Sequence, residues 1–190
     1  VEASTMLSSI YGKNPPDILT QRYETEMHHI INYKYASIYM LSHLLTKYSH
    51  INGFPTSSRG SVGASFIAFL LGITNVNPLP PHYYCKNCKH VEFIPDNSVY
   101  SGYDLPQRNC PVCGKKLSSD GHNIPYETFF GLNGDKAPDI DLNFSESFKD
   151  DALNYLCDMF GKERILSAGT ISSLFENISD MYIKMYEEVT

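Results

Sequence analysis

Pro138-Asp139-Ile140-Asp141-Leu142-Asn143-Phe144 alternates polar and apolar residues in the manner of a β-strand. Successive side chains of a strand point to opposite faces. Asp139, Asp141 and Asn143 then share one face, while Ile140, Leu142 and Phe144 point into a core; the alternation predicts a strand from Ala137 to Phe144. Two carboxylates on one rigid face repel each other unless a cation sits between them. That geometry suits two Mg2+ ions that clamp a triphosphate and a nucleophilic oxygen. Alone the pattern is weak, because solvated strand faces often carry acids.

Upstream, Ser57-Ser58-Arg59-Gly60-Ser61-Val62-Gly63-Ala64-Ser65 precedes an apolar run, Phe66 to Leu71, that reads as a short helix stopped by Gly72. Backbone N–H groups in a Gly/Ser loop at a helix N-terminus make an anion site, and serine hydroxyls add donors. Arg59 adds a permanent positive charge. The Gly-Lys-Ser/Thr ending of the nucleoside-triphosphatase P-loop is missing. A Ser/Gly segment by itself is usually only a loop. The two motifs gain weight together, because a phosphate-cradling loop followed by Asp-x-Asp on a strand is the order used by nucleotidyl transferases with a polymerase-beta type of palm.

Between them lie Cys85-Lys86-Asn87-Cys88 and, twenty-one residues on, Cys110-Pro111-Val112-Cys113. Each Cys-x-x-Cys makes a tight turn that presents two thiolates to one ion, and two such turns complete a closed tetrahedral zinc site. The spacing is just beyond the usual window for such ribbons. A four-thiolate site has no open position, so the ion is expected to be structural. His82 and His90 flank the first pair and read as surface histidines, since four thiolates already fill the site. Cys157 stands alone in an apolar helical stretch and reads as a core thiol.

The 190 residues are 42% hydrophobic and 13% aromatic, too rich for a disordered chain. No stretch approaches the ~20 apolar residues that a membrane helix needs, and no signal segment opens the chain. The chain starts at Val1, which hints at a piece of something longer. Net charge is −6, which argues against a free-standing nucleic-acid-binding domain. Charge is uneven: Lys86–Lys116 carries four Lys and one Arg against three acids, and Ser147–Thr190 four basic residues against eight acids. Five cysteines, four of them in spaced pairs, fit a reducing cytoplasm better than a disulfide framework.

The remaining pattern is helical at both ends. Asp17 is a candidate N-cap after Pro15-Pro16. Leu19, Tyr23, Met27, Ile30 and Ile31, then Ile38, Leu41, Leu44, Leu45 and Tyr48, predict two amphipathic helices that break near Asn32–Tyr35. The Tyr and Met stripe along them reads as packing. Adjacent His28 and His29 face different ways. Phe148–Phe160 reads as a helix stopped by Gly161, Ile165–Ser167 as a strand and Ile171–Val189 as a last helix. Lys162 and Arg164 offset a helix dipole or touch DNA.

Ser58-Arg59-Gly60-Ser61-Val62-Gly63, the run Gly72 to Tyr83, the Cys pairs, and Gly134-Asp135-Lys136-Ala137-Pro138-Asp139-Ile140-Asp141-Leu142-Asn143-Phe144-Ser145 resemble the PolC-type alpha subunits of bacterial DNA polymerase III. Phe160-Gly161-Lys162 to Ala168-Gly169-Thr170 is similar to the stretch that follows the aspartates in the wider family. The resemblance runs from about Tyr11 to the C-terminus. It implies an α+β fold: an incomplete polymerase-beta-like nucleotidyltransferase palm with an inserted four-cysteine zinc module. Residues 1–82 would carry the helices and phosphate loop, 83–120 the zinc insertion, and 121–190 the aspartate strand and following helices. It implies a replicative DNA-directed DNA polymerase. Asp139 and Asp141 match its two metal-binding aspartates, with two catalytic Mg2+ ions, and Cys85, Cys88, Cys110 and Cys113 match its single structural zinc site. Ser58, Arg59, Gly60 and Ser61 match the segment that meets the nucleotide phosphates, while Ser57 and Ala64 depart from the family's Gly and Ser. A third carboxylate is expected beyond Thr190, so the chain alone should not polymerise DNA. Implied partners are primer-template DNA, dNTP and, through other parts of a longer parent, the sliding clamp and replisome proteins, all in the cytoplasm and none at a membrane.

Two other readings compete. One is a non-catalytic zinc ribbon that binds nucleic acid or protein, with Tyr83, Tyr84 and Phe93 available for stacking. The other is a nucleotidyl transferase with a different acceptor, since a fold does not fix its substrate.

Overall fold

Short stripes of apolar residues build the N-terminal helices, and a helix without polar residues fills the space between them. The computed structural model describes residues 2–94, 99–132, 136–166, 168–169 and 176–189. Helix α1 (Glu2–Tyr11) buries Ala3, Leu7 and Tyr11, a stripe at four-residue spacing. Sequence reading passed it over, because small and hydroxylated residues surround a narrow apolar face. Helix α2 (Asp17–Asn32) buries Leu19, Glu26 and Ile30. Asp17 does not cap it: Pro16 holds the N-cap position and makes no side-chain bond, so Asp17 is the first-turn acid that complements the dipole.

The expected break between α2 and α3 (Ala36–Ile51) is a Schellman turn. Lys34 is left-handed (φ 61°), Tyr35 N–H donates to Ile30 C=O at 2.8 Å and Lys34 N–H to Ile31 C=O at 3.1 Å. Helix α3 and helix α4 (Phe66–Leu70) end in the same way at Gly53 (φ 82°) and Gly72 (φ 67°), where a side chain would be strained. Phe66, Ile67, Ala68 and Leu70 are all buried, so α4 is the centre of the core. Phe129 and Phe130 of α5 (Glu127–Phe130) join the same cluster.

Among the described residues, five short strands make two sheets. Strand β1 (Thr56–Arg59) pairs antiparallel with β5 (Asp141–Phe144), with Ser57 opposite Asn143, Ser58 opposite Leu142 and Arg59 opposite Asp141. Two expectations change here. The Ser57–Ser61 segment is not a loop but a strand that turns at Gly60 into a 3-10 segment, Gly60–Ala64. The aspartate strand begins at Asp141 instead of Ala137, because β1 ends at Arg59 and offers nothing beyond it to pair. Ile140 and Leu142 pack against the core as expected.

Strands β2 (His82–Tyr84), β3 (Val91–Phe93) and β4 (Ser118–Asp120) form a three-stranded antiparallel sheet in the order β3-β2-β4. It carries a second small core of Tyr83, Cys85, Cys110 and Leu117. Arg108 lies 3.9 Å from the centre of the Tyr83 ring and pairs with Glu92.

By packing the chain divides into Val1–Tyr155 and Leu156–Thr190. Helix α6 (Lys149–Phe160) ends at Gly161 as expected, and Cys157 on it is half-buried instead of a core thiol. Ile165 and Leu166 belong to no strand. Helix α7 spans Glu176–Val189. The expected starts and ends that fall on 167 and 170–175, and Gly134-Asp135 of the long motif, lie outside the described residues.

Phe66→Ala should lower unfolding free energy by about 3–5 kcal/mol, the cost of emptying a fully buried aromatic site. Denaturant melts of the two proteins, followed by far-UV circular dichroism, measure the difference.

Candidate functional site

Pairing of β1 with β5 brings together two motifs that lie far apart in the sequence. Opposed residues of an antiparallel pair share a face. Ser57, Arg59, Asp141 and Asn143 therefore form one outward ledge, with Asn143 Nδ2 donating to Ser57 Oγ at 3.2 Å. Arg59 Nε stands 3.6 Å from Asp141 Oδ2, and the two side chains are 72% and 47% exposed. An ion pair that wet contributes little to stability. Gly60, with φ 74°, runs close beside the same carboxylate: a Cβ there would lie 3.7 Å from Asp141 Oδ2. Asp139 is exposed just ahead of β5, Ser61 is half-buried, and Ser58 is half-buried opposite Leu142 on the inner side. Arg59, Gly60 and Asp141 thus come together. Among the described residues no third His, Cys, Asp or Glu clusters with Asp139 and Asp141.

The helix N-terminus that follows this segment is not open to an anion. Glu26, fully buried on α2, fills it. Its carboxylate accepts from Phe66 N–H at 3.0 Å, Ile67 N–H at 3.1 Å, Ser65 Oγ–H at 2.9 Å and Arg22 Nε at 2.5 Å. Since the Ser65 proton goes to Glu26, Tyr39 must donate to Ser65 Oγ (2.9 Å), which also accepts from Ala68 N–H at 3.1 Å. Arg22 further donates to the carbonyls of Ala64 (2.6 Å) and Ile124 (3.1 Å). Sequence reading missed this cluster. A signal was present: Glu26 sits on the Leu19–Ile30 apolar stripe with Arg22 one turn before it.

The four paired cysteines converge, with their sulfurs all within 4.8 Å of one another. Cys85–Cys113 and Cys88–Cys110 sulfurs are 3.5 Å apart, too long for a disulfide and near the ~3.8 Å between sulfurs around a tetrahedral ion. The two turns repeat each other. Cys85 N–H donates to His90 C=O and Cys110 N–H to Lys115 C=O; Lys89 (φ 63°) and Gly114 (φ 71°) follow the second cysteine of each. A backbone N–H from Lys115 pulls the Cys113 thiol down to about 6. The matching bond from His90 acts on Cys88 in the same sense, but desolvation and the neighbouring sulfurs outweigh it and hold that thiol well up. Four such sulfurs could hold a metal ion, and they fit a soft one.

His82 is a correction. It is fully buried, not a surface histidine. Its Nδ1–H donates to Pro80 C=O at 2.8 Å, so Nε2 accepts from Tyr11 Oη–H at 3.1 Å. Asn77 Nδ2 donates to Tyr11 Oη at 2.9 Å and to Asp120 Oδ2 at 3.0 Å. Burial pushes the His82 pKa below its usual 6.5. His90 is partly exposed beside Glu92. His28 pairs with exposed Asn32 and His29 packs on Tyr126 and Phe130, yet the two rings also meet edge to face, with centroids 6.0 Å apart.

The model of the bacterial DNA polymerase III alpha NTPase domain matches residues 2–180, so the chain belongs to that family. Among named relatives it is similar to DNA polymerase III PolC-type of Thermotoga maritima, 49% identical over 95% of this chain and 13% of the relative. The proteins of that name from Bacillus subtilis and Halalkalibacterium halodurans are 51% and 50% identical over 94% of the chain and 12% of each relative. The chain therefore spans about an eighth of the length of these relatives. Among the described residues no helix is long and apolar enough to cross a membrane.

The buried neutral His82 makes stability pH-dependent. Its folded pKa is below 6.5, so between those values the unfolded chain binds the proton and the folded chain does not. This contribution is intact above pH 6.5 and is lost as pH falls. Thermal unfolding at pH 7.5 and pH 5.5 should show a lower Tm in acid, with a smaller difference in His82→Gln.

Proposed function

We propose that the chain is the nucleotide- and metal-binding part of the palm of a replicative DNA-directed DNA polymerase, a polymerase-beta-like fold with an inserted zinc module. The observation that supports this best is the Arg59–Asp141 pairing, which puts a Gly/Ser/Arg segment and an aspartate on one ledge. Asp139 and Asp141 offer the hard oxygen ligands that Mg2+ prefers. Two Mg2+ ions there, when bound, would lower the pKa of a primer 3′-hydroxyl and offset charge on the leaving pyrophosphate. Arg59, Gly60 and Ser61 would meet the triphosphate of a dNTP, with Ser58 behind them. In this arrangement Arg59 exchanges an aspartate for a phosphate as its anionic partner, and Asp141 exchanges an arginine for a cation.

Cys85, Cys88, Cys110 and Cys113 would hold one structural zinc ion, closed to substrate. Residues 83–120 would be its module, between the helices and phosphate segment of 1–82 and the aspartate strand of 121–190. Substrates would be primer-template DNA and dNTP. The clamp and other replisome proteins would contact other parts of a cytoplasmic parent.

A zinc module that binds nucleic acid without catalysis is the second reading. Exposed Tyr100 (85%) and Tyr103 (72%), which lie between the two cysteine pairs in the sequence, favour it. The aspartates separate the two. Primer extension with Mg2+, by a polymerase of the relatives' length that carries this sequence, should fall by roughly 10^3-fold or more in Asp139→Ala/Asp141→Ala, about 4 kcal/mol of transition-state stabilisation. Primer-template binding should persist. Equal extension by both proteins would move the chemistry elsewhere.

Zinc content is a separate check. Replacement of Cys85 and Cys88 by Ser should remove the ion and unfold the β2–β4 module while leaving the helices formed, with only the Ser9 end of α1 loosened. Metal analysis and circular dichroism report the two effects.

A further inference from the structure

A buried ion pair is weak evidence for stability, since apolar groups of the same size often serve as well. The Arg22–Glu26 pair sits on an apolar stripe where a Leu and a Met would fit the pattern. What it does that apolar residues could not do is grip main chain. From α2, Arg22 binds the Ala64 carbonyl, and Glu26 binds Ser65 Oγ–H and the N–H groups of Phe66 and Ile67. Ser65 N–H in turn donates to Val62 C=O at 3.0 Å, which closes the 3-10 segment, and Val62 is fully buried. The other end of that segment is fixed at the last β1–β5 rung, Arg59 opposite Asp141. Gly60 and Ser61 are therefore strung between two anchors, the ledge and the α2 clamp.

We infer that Glu26 is a positioning residue for nucleotide binding: through Ser65, Phe66 and Ile67 it sets the height and direction of the Gly60–Ala64 turn beside Asp141. The inference rests on the reading of Arg59–Ser61 as the triphosphate segment. Glu26 touches no substrate. It acts by denying the turn other conformations, and Tyr39 and Arg22 orient the groups that it holds.

Glu26→Gln keeps the shape but adds an N–H2 group where every partner is already a donor. The turn then shifts or loses a bond. In the polymerase of the relatives' length, KM for dNTP should rise about tenfold, about 1.4 kcal/mol. The kcat should change less, and primer-template Kd should stay the same. Ser65→Ala leaves the carboxylate and removes one of its donors. It should raise KM about threefold, and it decides the matter if Glu26→Gln does not fold. A purely structural Glu26 would lower Tm and the active fraction while the remaining enzyme kept its normal KM; that result in both variants overturns the inference. Asp141→Asn runs beside them. If it is inactive while Glu26→Gln and Ser65→Ala keep normal KM, only the role of Glu26 falls. Full turnover by Asp141→Asn overturns the placement of the metals and the triphosphate at this ledge, and the inference with it.

Discussion

A carboxylate with no exposure has to be met by donors on every side, and at Glu26 the donors come from α2 itself and from the start of α4. Helix α4 has five residues, too few to stabilise itself in isolation. Three of its first N–H groups, those of Phe66, Ile67 and Ala68, are satisfied by Glu26 and Ser65. Only with those bonds made can an apolar segment this short lie inside the core, because bare N–H groups there would cost more than its side chains gain. The packing of Phe66 on Tyr11, and of Phe129 and Phe130 on Tyr39, follows from that placement.

The ledge depends on the same point at one remove. A two-stranded ribbon of four rungs is marginal by itself in water. Its outer contacts, an exposed ion pair and an amide-to-serine bond, add little. Its geometry has to be imposed from beneath, by Ile140 and Leu142 packed on the core and by the turn that Glu26 and Arg22 hold. A ledge made of polar, half-wet side chains thus takes its shape from an interior cluster.

What the sequence made legible follows from how local each signal is. The Cys-x-x-Cys turns, the α2–α3 break, the stops at Gly72 and Gly161, and the inward Ile140 and Leu142 are set by neighbours a few residues away, and they appear as expected. The errors lie where a distant partner decides. The Ser57–Ser61 segment is a strand because Asn143 and Asp141 pair with it, and the Asp strand is short because β1 is. His82 looks like a surface residue beside a metal turn, yet Tyr11 draws it into the core. The order of Glu26 and Ser65 in the chain says nothing about their contact, although a charged residue on an apolar stripe is a warning that such a partner exists.

The cysteine module and the ledge are chemically opposite: four soft, converging sulfurs in one, open carboxylates and a cation in the other. They are joined through α1. Lys89, the left-handed residue of the first cysteine turn, donates to the Ser9 carbonyl, and its stem fills the space beside Gly12. Tyr11 at the end of the same helix bonds His82 and Asn77 and packs against Phe66. A cysteine turn that lost its shape would therefore withdraw a cap from α1, and the loss would reach the residue against which Phe66 is packed. Because Phe66 N–H also donates to Glu26, the cysteine module and the turn beside Asp141 are both tied to the same core residue. The shape of the sulfur cluster can accordingly bear on the ledge without touching it, by keeping α1 in register with α4.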